Sequence, residues 1–203
     1  MNLFDQFGQK MIHLPLEDAE ITYYPSFIPA DEAINYFEQL FRDTPWQQDD
    51  IRVFGKVYAQ PRLTALYGEE GKSYSYSGIQ MNPLTFTPLL LELKEKIEAV
   101  SHVNFTTVLL NLYRNGMDSN GWHSDDEKEL GRNPIIASLS FGVTRRFHLR
   151  HRNDKSKKFS IDLEHGSLLI MKGETQHNWH HQLPKSRRIQ DPRINLTFRI
   201  VKS

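Results

Sequence analysis

Cysteine is absent from all 203 residues, which excludes a disulfide framework, thiolate-held zinc and iron–sulfur clusters. A transition metal in this chain must therefore be held by histidine and carboxylate. Net charge is absent too: Lys+Arg and Asp+Glu each number 25, so only the local distribution of charge can argue for a polyanionic partner. No run approaches the roughly 18 apolar residues of a membrane span. The opening Met-Asn-Leu-Phe-Asp-Gln lacks the basic and apolar regions of a secretory signal. No membrane partner is expected, and the expected location is the cytoplasm, or the nucleus in a eukaryote. Nothing in the pattern demands an oligomer, so a monomer is expected.

Helical periodicity is confined to two stretches. Residues 31–42 place Ile34, Phe37, Leu40 and Phe41 on one stripe, with Pro45 beyond the end. Thr87-Pro88 is a cap followed by proline at the first helical position. Leu89, Leu90, Leu93, Ile97 and Val100 then form an apolar face, with Glu92 and Lys96 paired at i, i+4. After residue 103 short apolar or alternating segments follow one another, separated by Gly, Asn, Asp and Pro. Strands are expected near 105–113, 121–126, 135–141, 146–150, 158–163, 167–171, 176–182 and 193–201. Many short strands without intervening helices predict a mostly β fold with flanking helices, a jelly roll or double-stranded β-helix, in one domain over 1–203. Residues 1–50 read as an N-terminal extension and helix, 51–86 as a Tyr- and Gly-rich segment, and 105–201 as the core.

His123 and Asp125 lie two apart, so they point the same way on an extended backbone. With one more histidine they would make two imidazoles and a carboxylate, the set that binds non-haem Fe(II) with open positions. His177, His180 and His181 all compete for the third place, and periodicity does not choose among them. The last strand alternates without a break: Arg193, Asn195, Thr197 and Arg199 on one face, Ile194, Leu196, Phe198 and Ile200 on the other. Asn111 and Tyr113 similarly oppose Leu110 and Leu112. Two arginines, an amide and a phenol suit an anionic carboxylate ligand. Arg145, Arg146, Arg150, Arg152, Lys155, Lys157 and Lys158 crowd one segment, and Lys185, Arg187 and Arg188 another, as phosphate contacts would.

Four blocks in order give the chain a family likeness: Asn111-Leu-Tyr113-Arg-Asn-Gly116, His123-Ser-Asp125-Asp-Glu127, His181-Gln-Leu-Pro184 and Arg193-Ile-Asn195-Leu-Thr-Phe-Arg199. The sequence resembles the AlkB family of Fe(II)/2-oxoglutarate-dependent nucleic-acid dealkylases. The likeness extends to its duplex-DNA-active subgroup through Val53-Phe-Gly-Lys56, Pro61-Arg62, Tyr67-Gly68 and Tyr74-Ser-Tyr76-Ser-Gly78. The resemblance implies His123, Asp125 and His181 as metal ligands and catalytic centre. It implies Asn111, Tyr113, Arg193, Asn195 and Arg199 as the 2-oxoglutarate site, with dioxygen as the other co-substrate. It makes 51–86 a nucleotide-recognition segment, with Tyr76 stacking on a flipped base, Phe54 wedging the duplex, and Tyr74, Arg62 and Glu127 contacting substrate. The implied reaction hydroxylates an alkyl carbon on a base nitrogen, as in N1-methyladenine or N3-methylcytosine, and releases an aldehyde. The implied partner is alkylated DNA, double- and single-stranded. RNA demethylation by the same chemistry, and a metal-binding nucleic-acid module without turnover, are the alternatives.

Overall fold

The structure, a computed structural model, describes residues 10–53, 56–69, 74–76, 79–81 and 83–202, with backbone alone at 51–53, 56, 74–76 and 79–81. Two antiparallel sheets face each other. The larger has seven strands in the order β1 (Ile12–His13), β2 (Glu20–Tyr24), β13 (Ser167–Lys172), β10 (Ile136–Gly142), β15 (Arg193–Arg199), β8 (Thr107–Tyr113) and β5 (Leu63–Gly68). The smaller has four: β12 (Lys158–Leu163), β11 (Arg145–His151), β14 (Trp179–Leu183) and β9 (Asn120–His123). Two hairpins, β3 (Asp50–Val53) with β4 (Lys56–Ala59) and β6 (Tyr74–Tyr76) with β7 (Ile79–Met81), form separate two-stranded sheets. The double-stranded β-helix expected from the sequence is the fold. The large sheet also recruits β2 and β5, so its strands begin well before residue 105. No described helix is long and apolar enough to cross a membrane.

The alternation of the last strand decides the layering. Ile194, Leu196 and Phe198 face one core, where they meet Leu110, Leu112 and the buried faces of α1 (Ala30–Asp43) and α2 (Pro88–Ser101). Each such side chain contributes about 1.5–3 kcal/mol by leaving water. The opposite face of the large sheet looks at the small sheet. There Leu109, Ile136, Leu169 and Met171 pack against Leu149, Leu163 and Trp179.

Helix α2 starts where expected. The Thr87 side chain accepts from Leu90 N–H at 3.3 Å, and Pro88 loses no hydrogen bond in the first turn. Leu90, Leu93 and Ile97 are buried, and the left-handed His102 (φ 58°) closes the helix. Helix α1 has the expected extent but a rotated face. Ala33, Tyr36 and Leu40 are buried, whereas Ile34 and Phe41 are 51% and 45% exposed. Tyr36 turns inward because its hydroxyl donates to Glu92 of α2, which an apolarity count misses. The strand expected at 176–182 is also divided: Thr175–Asn178 form a helical turn, α3, and extended chain begins at Trp179.

Candidate metal centre

His123 ends β9, an edge strand, and His181 lies directly across from it on β14. The two imidazoles meet edge to face, with ring centroids 4.2 Å apart. Asp125 stands two residues past the end of β9, outside the strand that the sequence suggested would carry it. One ligand atom from each of His123, Asp125 and His181 lies within 4.8 Å of the others. Bonds of about 2.1 Å to a single ion close such a gap with small side-chain movement. His180 points to the other face of β14, and His177 belongs to α3 and is exposed. Register thus selects His181 from the three candidates.

The protonation states fit a metal. Burial lowers the His181 pKa to about 3, and His123 next to it adds to the shift. Burial also lowers His123, partly offset by Asp125 and the Gly121 carbonyl. Burial alone would raise the Asp125 carboxyl, but Arg199, then the two imidazoles, hold it below the usual carboxylate range. Neutral imidazole and ionised carboxylate are the ligating forms, so no proton has to be displaced at neutral pH. His123 Nδ1 donates to Gly121 O at 2.8 Å, which leaves Nε2 as its coordinating atom. Asn120 Nδ2 lies 3.2 Å from that Nε2. Asp125 is fixed by Arg199 Nη2 on Oδ1 at 2.7 Å, and its backbone N–H donates to Gln176 Oε1 at 2.9 Å.

The polar face of β15 enters the same cavity. Arg193, Asn195, Thr197 and Arg199 line it with Asn111, Tyr113 and the triad. Arg193 is buried beside the Tyr113 ring, with its guanidinium carbon 5.4 Å from the centroid, and Nη2 donates to Ser140 Oγ at 2.9 Å. Its Nε is buried without a hydrogen-bond partner among the described residues, and burial draws its pKa down to about 10. A buried guanidinium with an unspent donor is what a carboxylate ligand would satisfy. Arg193 and Arg199 stand at opposite ends of β15 and do different work, Arg193 beside Tyr113 and Arg199 on the metal-side carboxylate. Asn195 Nδ2 donates to Ser138 Oγ at 2.8 Å and to Leu139 O at 3.1 Å, and its Oδ1 accepts from Thr197 at 2.9 Å. The donor set and the anion pocket therefore suit Fe(II) and 2-oxoglutarate.

The substrate-facing residues fare unequally. Phe54 lies outside the described residues, as do the side chains of Tyr74 and Tyr76, whose backbones form β6. Glu127 is half-buried just past the triad, and its carbonyl accepts from Leu130 N–H at the head of a short helical turn. Arg62, expected as a substrate contact, is only 3% exposed. Its Nε donates to Asn111 Oδ1 at 2.7 Å and its Nη1 to Ser119 O at 3.3 Å, so it orients a pocket residue. The basic segment is likewise not uniform. Arg145 is buried and bonds the carbonyls of Asn115, Asp118 and Pro184. Arg146 pairs with Asp162, Arg152 with Asp126 and Lys157 with Glu17. Gln176, Asn120, Ser138 and Ser140 escaped the sequence reading. Each is an ordinary polar residue whose relevance comes only from what it meets in the folded chain.

With this geometry in view, the likenesses to known proteins are specific. Residues 20–199 match the model of the 2OG-Fe(II) oxygenase superfamily. The alpha-ketoglutarate-dependent dioxygenase alkB homolog 3 of Bos taurus is 47% identical over 201 residues, covering 92% of this chain and 68% of its own. DNA oxidative demethylase ALKBH2 of Homo sapiens is 36% identical over 202 residues, covering 95% and 77%. The solved structure of OsALKBH1 shares the fold, with a TM-score of 0.66 at 17% identity over 93% of this chain and 100% of that one. The chain belongs to the 2OG-Fe(II) oxygenase superfamily, and within it to the AlkB family. It is an Fe(II)/2-oxoglutarate-dependent dioxygenase.

Proposed function

We propose that this enzyme is a DNA repair demethylase that removes small alkyl groups from base nitrogens, N1-methyladenine and N3-methylcytosine among them, in double- and single-stranded DNA. The observation that carries the reading is the His123–Asp125–His181 triad sharing one cavity with the Arg193–Tyr113 anion site. Its likeness to a relative named a DNA oxidative demethylase supports the choice of substrate.

Fe(II) with 2-oxoglutarate and dioxygen supplies, when bound, the oxidising power that hydroxylates the alkyl carbon. The chain supplies everything around it. His123 and His181 present neutral ring nitrogens, and Asp125 presents an ionised oxygen; the Gly121 carbonyl holds His123 from behind and Arg199 holds Asp125. Arg193, Tyr113 and Asn111 would take the co-substrate carboxylates, with Arg62 fixing the Asn111 carbonyl and so aiming its amide N–H groups. Leu109, Phe147, Met171 and Leu183 wall the cavity with apolar surface that excludes water. A base must leave the stack to arrive here. In this reading Tyr76 stacks on it, Tyr74 and Glu127 flank it, and Phe54 fills the gap it leaves in a duplex.

The test is oligonucleotide mass after incubation with Fe(II), ascorbate and 2-oxoglutarate, using one N1-methyladenine in a duplex and in the matched single strand. Loss of one methyl group, abolished by His123→Ala, is expected from both. Loss from the single strand alone would remove the wedge role of Phe54. Loss from neither, with 2-oxoglutarate bound, would overturn DNA as the substrate.

A further inference from the structure

The outer face of the small sheet carries a second surface, back to back with the metal centre. Trp122 precedes His123 on β9, so the pleat sends the two rings to opposite faces. On the outer face the Arg150 guanidinium carbon lies 4.3 Å from the Trp122 ring centroid. Arg150 stands in register with His180 on β14 and with Lys158 on β12. Trp122, His148, Arg150, Lys158 and Ser160 line a groove of about 390 Å³, within the usual size range of ligand sites.

Charge separates this groove from the rest of the basic segment. Arg146 and Arg152 are each neutralised by an aspartate at 2.8 Å. Arg150 and Lys158 meet no carboxylate among the described residues, and no acid lines the groove. Trp122 is 37% exposed, so part of its ring stays open to solvent beside Arg150. Two uncompensated cations beside an accessible indole are the elements with which proteins hold single-stranded nucleic acid: a ring for the base, charge for the phosphate.

We propose that this groove is a strand-binding subsite, in which a nucleobase flanking the target stacks on Trp122 and the adjoining phosphate is held by Arg150 and Lys158. The proposal rests on the nucleic-acid reading above. The subsite takes strand independently of its sequence, because every base has a face to stack. It would therefore set how long a substrate must be rather than which lesion is removed.

Binding to protein loaded with Mn(II) and 2-oxoglutarate, which blocks turnover, tests this by fluorescence anisotropy. The ligands are a methylated trinucleotide and the same lesion in a single strand of roughly 15 nucleotides, the span that one such site covers at most. The longer strand is expected to bind at least tenfold tighter. Trp122→Ala should weaken it roughly five- to hundredfold, as loss of one base stack does, with far less effect on the trinucleotide and with recovery in Trp122→Phe. Arg150→Gln and Lys158→Gln, on two other strands, should each reduce the slope of log affinity against log salt by about 1. Equal losses on both ligands would overturn the proposal and assign Trp122 to the support of His123. Indifference of the longer strand to all three variants would overturn it too. A wild-type protein that demethylates the trinucleotide yet binds the longer strand no better sinks the subsite and spares the enzymatic reading. One that neither binds nor demethylates either ligand sinks both.

Discussion

Arg199 Nη2 donates to Asp125 Oδ1 across 2.7 Å, and both side chains are almost wholly buried. The pair joins the last strand of the large sheet to the loop that leaves the small one. It holds a carboxylate ionised in a place where burial alone would protonate it. Removing one partner of such a pair strands the other charge.

Arg199→Gln is accordingly expected to destabilise the metal-free protein by about 3 kcal/mol or more. Mn(II) should restore part of the loss, because the cation replaces the missing positive charge beside Asp125. Thermal unfolding with and without Mn(II) measures both. An identical deficit in the two conditions would mean that Arg199 does not act through Asp125.

The histidine assignment predicts a contrast between neighbours. His181→Ala should abolish tight Mn(II) binding in calorimetry, whereas His180→Ala should leave it within a few-fold, since that ring lies on the opposite face of β14. Comparable losses would place the metal elsewhere.

Arg62→Ala frees the Asn111 side chain without touching the metal ligands. Loss of such an orienting partner commonly costs roughly 10- to 100-fold in affinity. The expected result is weaker 2-oxoglutarate binding with Mn(II) affinity preserved, read by calorimetry for each. Lost Mn(II) affinity would contradict the role.

Asp118 provides a pH test away from the centre. Burial pushes its carboxyl up, but bonds from the Arg114 side chain and backbone outweigh this and leave its pKa lowered. A folded-state pKa below the unfolded value gives stability that is present above the unfolded pKa and lost as pH falls through the folded one. The stability gap between wild type and Asp118→Asn should therefore be constant near neutrality and shrink below about pH 4. Urea melts across that range check it, and a gap that widens in acid would reverse the sign.

Much of the site was legible because it sits on strands. Alternation alone put Arg193, Asn195 and Arg199 on one face of β15 and Asn111 with Tyr113 on one face of β8, as the cavity lining bears out. What spacing could not supply was the partner across a sheet. The register of His181 opposite His123, the burial of Arg62 under Asn111 and the inward turn of Tyr36 toward Glu92 all depend on contacts between residues distant in sequence. The basic segment misled for the same reason. Its charges read alike in one dimension, but aspartates from elsewhere cancel some and Arg145 is structural.

The ligands come from two places that need not move together. His123 lies on the edge strand of the small sheet and His181 on the strand beside it, and Asp125 is tied to the large sheet by Arg199 and to α3 by Gln176. An ion bound by all three is thus a clasp between the layers as well as a reaction centre. Filling it should slow amide exchange along β9, whose outer edge has no neighbouring strand among the described residues. Loss of iron would then loosen the rim of the barrel as it silences the chemistry.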